Sequence, residues 1–172
     1  EWGGRNGYGA KLANIFSTQM IVETVDKNRK KKLIQTFKTN MSVKEQPKIT
    51  TCVANGFTKI TWYPDFKRFN MKNLDENHVK LMKKRVYDIA ACSSKSVNVF
   101  LNDIKLLENN FEKYVNLYIG NKAEKARVSE ETDNWNVVAT YNNDEIFDQV
   151  SFVNGINTSR GGKHVDYIVE QI

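Results

Sequence analysis

Gly3-Gly4-Arg5-Asn6-Gly7-Tyr8-Gly9-Ala10-Lys11 places four glycines, two cations and an asparagine within nine residues, and Leu12, Ala13, Ile15 and Phe16 follow directly. Glycine admits φ > 0 and lets a large group approach the main-chain N–H donors. A helical turn over Ala10 to Phe16 directs those donors, and the positive end of the helix dipole, at one spot that favours an anion. Lys11 and Arg5 add full positive charges beside it. Phosphate is the simplest ligand for such a loop, and a nucleotide polyphosphate is its extension. The run is not a P-loop. Gly4 and Gly9 have the required spacing, but Ala10 intervenes before Lys11, and Leu12 stands where a magnesium-binding hydroxyl belongs. A G-x-G-x-x-G reading fails as well, because Leu12 occupies the third glycine position after Gly7 and Gly9. An ordinary surface loop is the competing reading; the adjacent helix and the two cations favour phosphate without naming a fold.

Bulk properties bound the rest. A chain of 172 residues holds one ordinary domain, or one domain and part of a second. Nine Phe, seven Tyr and three Trp, within a hydrophobic fraction of 40 %, suffice for a buried core. The net charge of +6 permits attraction to nucleotides or nucleic acid, as it does for many inert domains. Cys52 and Cys92 lie far apart without a C-x-x-C, and read as reduced thiols of an intracellular protein. His78 and His164 lack metal-ligand spacing, so no metal site is expected. No apolar run approaches a membrane span, and nothing resembles a signal peptide. The chain starts without Met inside a functional-looking loop and stops within the apolar-periodic run Val165 to Ile172, which suggests a fragment.

Gln19 to Val25 and Lys31 to Phe37 read as β-strands joined by the turn Asp26-Lys27-Asn28-Arg29. Thr58 to Tyr63 is a third strand, ended by Pro64. Asn40 to Asn55 is polar and loop-like, with a short strand near Lys48 to Cys52. Asn73-Leu74-Asp75 reads as the cap of a helix whose Val79, Met82, Val86, Ile89 and Ala90 recur at spacings of three and four, leaving Lys80 to Arg85 largely as a wet face. Ser96 to Leu101 reads as a strand, Asn102-Asp103 as a turn into Ile104 to Leu107, and Phe111 to Tyr118 as a short helix ending near Gly120. Asn121 to Asp133 is polar and marks a boundary or exposed loop. Trp135 to Tyr141 and Gln149 to Asn154 read as strands, Ser159 to Lys163 as a loop, and a helix begins at His164. Trp2, Trp62 and Trp135 read as packing residues, and the ring of Tyr8 as packing beneath the loop or free.

Two segments together resemble one family. Gly3 to Ser17 (GGRNGYGAKLANIFS) is similar to the phosphate-binding loop of eukaryotic-type type IIA DNA topoisomerases, and Ser151 to Tyr167 (SFVNGINTSRGGKHVDY) resembles that family's transducer signature. Between them Tyr63-Pro64-Asp65, Phe69, Met71 to Asp75, Arg85 to Ala90 and Val99 to Asn102 also fit, collinear over nearly the whole chain. The resemblance implies an α+β fold: the C-terminal part of a GHKL-type (Bergerat) ATP-binding domain over residues 1–122, and the start of an α+β transducer domain over 123–172. It assigns the nucleotide contacts to Gly4, Arg5, Asn6, Gly7, Tyr8, Gly9, Ala10 and Lys11. The amides of Gly7, Tyr8, Gly9 and Ala10 would bind phosphate oxygens, Lys11 would neutralise the phosphate tail, and Arg5 and Asn6 would close the lid.

The same resemblance implies ATP with Mg2+ as cofactors, double-stranded DNA as substrate, a homodimer in the parent enzyme, no membrane and a nuclear location. The family's catalytic glutamate, magnesium-binding asparagine, transducer lysine and cleavage tyrosine have no counterpart in these 172 residues, so no catalytic residue is assigned and the chain alone is expected to be inactive. Another ATPase of the superfamily, of chaperone or mismatch-repair type, is the alternative, though those proteins lack the Ser151 to Tyr167 string. A basic nucleic-acid-binding module is a third reading that leaves the glycine loop unexplained. Asp26 to Lys32 reads first as a solvated hairpin tip, and Ser159 to His164 as a loop shaped by its glycines.

Overall fold

A computed structural model describes residues 6–107 and 110–172. They divide into two compact units that meet in sequence at Leu74 and Asp75. The first opens with α1 (Tyr8–Ile15), followed by β1 (Ser17–Asp26), β2 (Lys31–Lys38), β3 (Val43–Lys44), β4 (Lys48–Thr51) and β5 (Phe57–Pro64). The strands form one antiparallel sheet in the order β3-β2-β1-β5, and β4 pairs along β2 beyond β3.

The β1–β2 register runs from Gln19 opposite Lys38 to Asp26 opposite Lys31. It is set by the expected turn, where the Asp26 carboxylate accepts from the backbone N–H of Asn28 at 2.9 Å and of Arg29 at 3.0 Å. That register places Met20, Phe37 and Trp62 in one cross-strand row, and Val22, Gln35 and Ile60 in the next row on the same face. Met20 and Val25, on opposite faces, are the buried apolar anchors of the sheet.

The second unit begins with α2 (Glu76–Cys92). Within the expected cap Asn73-Leu74-Asp75 the capping residue is Asp75, its carboxylate accepting from His78 N–H at 2.8 Å. Two turns further on, the inward face departs from the apolar stripe. Met82 and Ile89 are exposed, whereas Ala90 and the carboxylate of Asp88 are fully buried. Lys84 Nζ donates to both Asp88 oxygens at 3.0 and 3.1 Å, Arg85 Nη1 donates at 3.0 Å, and the Tyr114 hydroxyl donates at 2.6 Å. Lys84 and Arg85 are therefore partners of a buried anion, a correction to their expected role on a wet face.

Tyr114 belongs to α3 (Phe111–Ile119), capped by the side chain of Asn110 and ended at Gly120. Between the two helices lies the hairpin β6 (Phe100–Leu101) and β7 (Ile104–Lys105), turned at Asn102 and Asp103, both with φ > 0. The expected strand Ser96 to Leu101 shortens to Phe100–Leu101.

Asn121 to Asp133 is not simply loop: Arg127–Glu131 forms β8 and pairs antiparallel with β9 (Asn136–Thr140). β8 carries polar residues on both faces, so it has no alternation to read. It starts at Arg127, whose side chain is fully buried, with Nη2 donating to the Gly120 carbonyl at 3.0 Å and Nε 3.8 Å from the Glu112 carboxylate. The hairpin of β10 (Phe152–Val153) and β11 (Ile156–Asn157) turns on Asn154 and Gly155, again at φ > 0, and α4 (Lys163–Val169) follows.

Candidate nucleotide-binding loop

The glycine loop runs straight into α1, which begins at Tyr8, two residues earlier than the apolar run suggests. Gly7 is the N-cap in a left-handed conformation (φ 64°), one that costs a side-chain-bearing residue about 1–2 kcal/mol. No side chain caps this end, and the first turn holds no acidic residue. The first-turn N–H donors therefore have no partner within the helix and face outward with the positive end of the helix dipole. Asn6 through Lys11 are all exposed. A Cβ built on Gly7 or on Gly9 meets no atom within 4 Å, so open space lies in front of the loop. Donors, cation and room suit a polyphosphate. Gly4 and Arg5 lie outside the described residues. The Tyr8 ring is 64 % exposed and does not pack beneath the loop.

The opposite end of α1 is mounted on the sheet by residues that sequence reasoning did not single out. Ser17, nearly inaccessible, donates its hydroxyl to the Ala13 and Asn14 carbonyls. Asn40 donates Nδ2 to the Ile15 carbonyl at 2.9 Å and to the Asp65 carboxylate at 3.0 Å. Asp65 N–H in turn donates to the Phe16 carbonyl at 2.9 Å. Phe16 packs on Phe69 with ring centroids 5.3 Å apart, and the Arg68 guanidinium lies 5.4 Å from the centre of the Phe16 ring. These groups satisfy the helix's last carbonyls and fix its axis, and with it the direction of the loop amides. Thr39, Asn40 and Met41 all take φ > 0, a strained path that brings the Asn40 amide to α1. The Tyr63-Pro64-Asp65 string was the available signal for Asp65; Asn40 had none.

The second motif is a folded lock rather than an anion site. His164 Nε2 lies 3.0 Å from Thr158 Oγ1 and 3.2 Å from Ser151 Oγ, and the two hydroxyls are 2.6 Å apart. Gln149 Nε2 donates to the Thr158 and Ser159 carbonyls. Gly161 (φ 71°) and Gly162 (φ 146°) make the turn into α4 that returns the imidazole to the β10–β11 hairpin. Glycine-enabled geometry, as read from the sequence, accounts for the Arg160-Gly161-Gly162-Lys163 segment. Among the described residues no group of three His, Cys, Asp or Glu side chains could hold a metal ion.

Comparison with known proteins matches nearly the whole chain to one family. The chain is 48 % identical over 99 % of its length to DNA topoisomerase 2 of Arabidopsis thaliana, and 46 % identical over 99 % to that of Acanthamoeba polyphaga mimivirus. Its fold superposes on the ATPase region of Saccharomyces cerevisiae topoisomerase II with a TM-score of 0.88, at 44 % identity over 98 % of the chain. The chain belongs to the eukaryotic-type DNA topoisomerase II family, in its ATPase–transducer region. The ATPase and transducer domains of topoisomerase II from Balamuthia mandrillaris match equally well, at a TM-score of 0.87 and 43 % identity over 98 % of the chain. No family model matches. The chain covers 12 % of the Arabidopsis topoisomerase, 14 % of the mimivirus one and 44 % of the yeast ATPase-region chain. A topoisomerase IV ATP-binding domain from Francisella tularensis shares the fold alone, at 21 % identity and a TM-score of 0.63. The mixed α+β architecture is that of the GHKL ATPase and transducer of topoisomerase II.

Proposed function

We propose that this chain supplies the phosphate-cradling loop of an ATP-dependent type IIA topoisomerase, and the start of the transducer that relays closure of its ATP gate. The observation that carries the reading is the uncapped N-terminus of α1, entered through left-handed Gly7 and facing open space. In the bound state the amides of Gly7, Tyr8, Gly9 and Ala10 hold the phosphate oxygens of ATP. Lys11 offsets their charge, Gly4 is a further nucleotide contact, and Arg5 and Asn6 close the lid. Mg2+ accompanies the nucleotide through ligands that this chain does not supply. Preorganised donors of this kind bind charge without reorganising, which is what phosphoryl transfer requires of a protein.

The domain boundary is proposed at 122/123, between α3 and β8. In the whole enzyme the substrate is double-stranded DNA, one duplex being passed through a transient break in another. The assembly is a homodimer, and the location is the nucleus, in keeping with topoisomerase relatives from plants and animals. No described helix is long and apolar enough to cross a membrane.

Titration of the chain with ATP or tripolyphosphate, followed by amide chemical shifts, tests the loop assignment. Shifts centred on Gly7 to Lys11 are expected, with no turnover of ATP. Shifts centred on Ser159 to Lys163 instead would refute the assignment, and measurable hydrolysis would refute the division between binding and chemistry.

A further inference from the structure

We propose that the end of the β1–β2 hairpin is a phosphate-backbone contact for duplex DNA, a site separate from the glycine loop. Asp26 to Lys32 holds five cations and one carboxylate, and the neighbouring segment Lys48 to Lys59 adds two lysines and no acidic residue. Two of the five cations have ion-pair partners, Arg29 with Asp26 at 3.6 Å and Lys32 with Glu23 at 3.0 Å. Lys27, Lys30 and Lys31 are exposed and have no ion-pair partner among the described residues. Three like charges over a short span repel one another in the free protein, so a polyanion relieves the hairpin of that repulsion.

The tip is also shaped. Lys27 and Lys30 line a concavity of about 440 Å³ together with Val53, Ala54 and Asn55. The main chain on both sides of it is fixed by hydrogen bonds. The Asp26 carboxylate fixes the turn, and Cys52 N–H donates to the Lys30 carbonyl at 3.0 Å, where Lys31 pairs with Thr51. The main chain beneath the lysines is thereby fixed, while the Lys27, Lys30 and Lys31 side chains stay exposed. The chemistry of the lining selects the ligand. No aromatic ring lines it, so it offers bases nothing to stack on, and single-stranded nucleic acid loses its main handle. Val53 and Ala54 make part of the wall apolar, and it is the ammonium groups of Lys27, Lys30 and Lys31 at the rim that suit phosphate oxygens spaced along a duplex backbone, which confer affinity without reading sequence. The choice of DNA as the polyanion rests on the topoisomerase reading above.

Fluorescence anisotropy of the 172-residue chain with a labelled duplex of about 25 base pairs, between about 50 and 200 mM salt, tests the site. Each phosphate contact contributes about 0.9 to the slope of log K against log salt, so Lys27→Ala/Lys30→Ala/Lys31→Ala should flatten the slope by about 2.7. Across that salt range the unsubstituted chain should therefore lose about 40-fold more affinity than the variant. Lys113→Ala/Lys122→Ala, which removes two exposed cations elsewhere, should leave the slope unchanged. An unaltered slope in the hairpin variant, an equal loss in the control, or competition by polyglutamate as effective as DNA at equal charge would overturn the proposal. The ATP-induced shifts at Gly7 to Lys11, measured on the same variant, should persist. Their absence from every variant would count against the glycine loop alone and leave the hairpin result standing.

Discussion

Replacing Tyr114 by Phe removes one oxygen from the most deeply buried polar cluster of the second unit. The hydroxyl donates to the Asp88 carboxylate at 2.6 Å and lies 2.9 Å from the Tyr118 hydroxyl. Burial, and then the hydrogen bond to Asp88, raise the Tyr114 phenol above its ordinary pKa, so it donates to Asp88 at neutral pH. A hydrogen bond to a charged group contributes about 1.5–3 kcal/mol. Asp88 keeps Lys84 and Arg85 after the substitution, so its charge stays compensated and the cost falls near the low end, about 1.5–2 kcal/mol. Hydrogen exchange of the α2 and α3 amides reads this unit by itself, and their protection should fall about 10- to 30-fold. Asp88→Ala should cost more, because it removes the acceptor of all three donors. The double variant should cost less than the sum of the two, since one interaction is lost in both. Unchanged protection in Tyr114→Phe, or strict additivity in the double variant, would refute the view that this contact organises the unit.

Further outcomes follow from the same geometry. Asn40→Ala should loosen the mount of α1 and cut ATP affinity several-fold in a titration, while exchange protection in β1 and β2 stays high. Gly7→Ala should lower stability by about 1 kcal/mol through its left-handed φ and weaken phosphate binding, both measurable on the purified chain. Arg127→Met should cost about 1–3 kcal/mol in urea denaturation, because it strands the Gly120 carbonyl and takes the cation from beside Glu112; unchanged stability would contradict this. The backbone N–H of His78, and then its side chain, hold the Asp75 carboxyl below its usual pKa. Its capping of α2 is therefore complete above the ordinary carboxylate range and is lost as pH falls through the depressed value, visible in the His78 amide shift; capping that weakened as pH rose would reverse the sign. Burial, and then the Asp88 carboxylate, push the Cys92 thiol up, so alkylation of Cys92 at neutral pH should be slower than that of a free thiol.

Local patterns were legible wherever the decisive partners lie within a few residues. The Asp26 turn, the β-prone runs of β1 and β2, the cap at Asn73 to Asp75 and the end of α3 at Gly120 all follow from neighbours in sequence, and the structure places each there. The strand β8 was missed because Arg-Val-Ser-Glu-Glu has no alternation; its position comes from pairing with β9 and from the buried Arg127 side chain. Likewise Asp88 sat in a helix pattern that looked apolar on one side and wet on the other. Its burial depends on Tyr114, 26 residues away, and no local pattern announces that partner.

The glycine loop divides the same way. Glycine spacing and charge are local properties, so the sequence by itself was enough to read Gly3 to Lys11 as a phosphate loop ahead of a helix and, together with Ser151 to Tyr167, to carry the family resemblance. Only the tertiary structure decided how that loop is aimed. Asn40 and Asp65, 25 and 50 residues beyond the Ile15 carbonyl, together with the buried Ser17 hydroxyl, fix the helix by its C-terminal carbonyls and leave its N-terminal amides free. Hydrogen bonds across such separations depend on where the sheet brings the chain, which no stretch of sequence states alone.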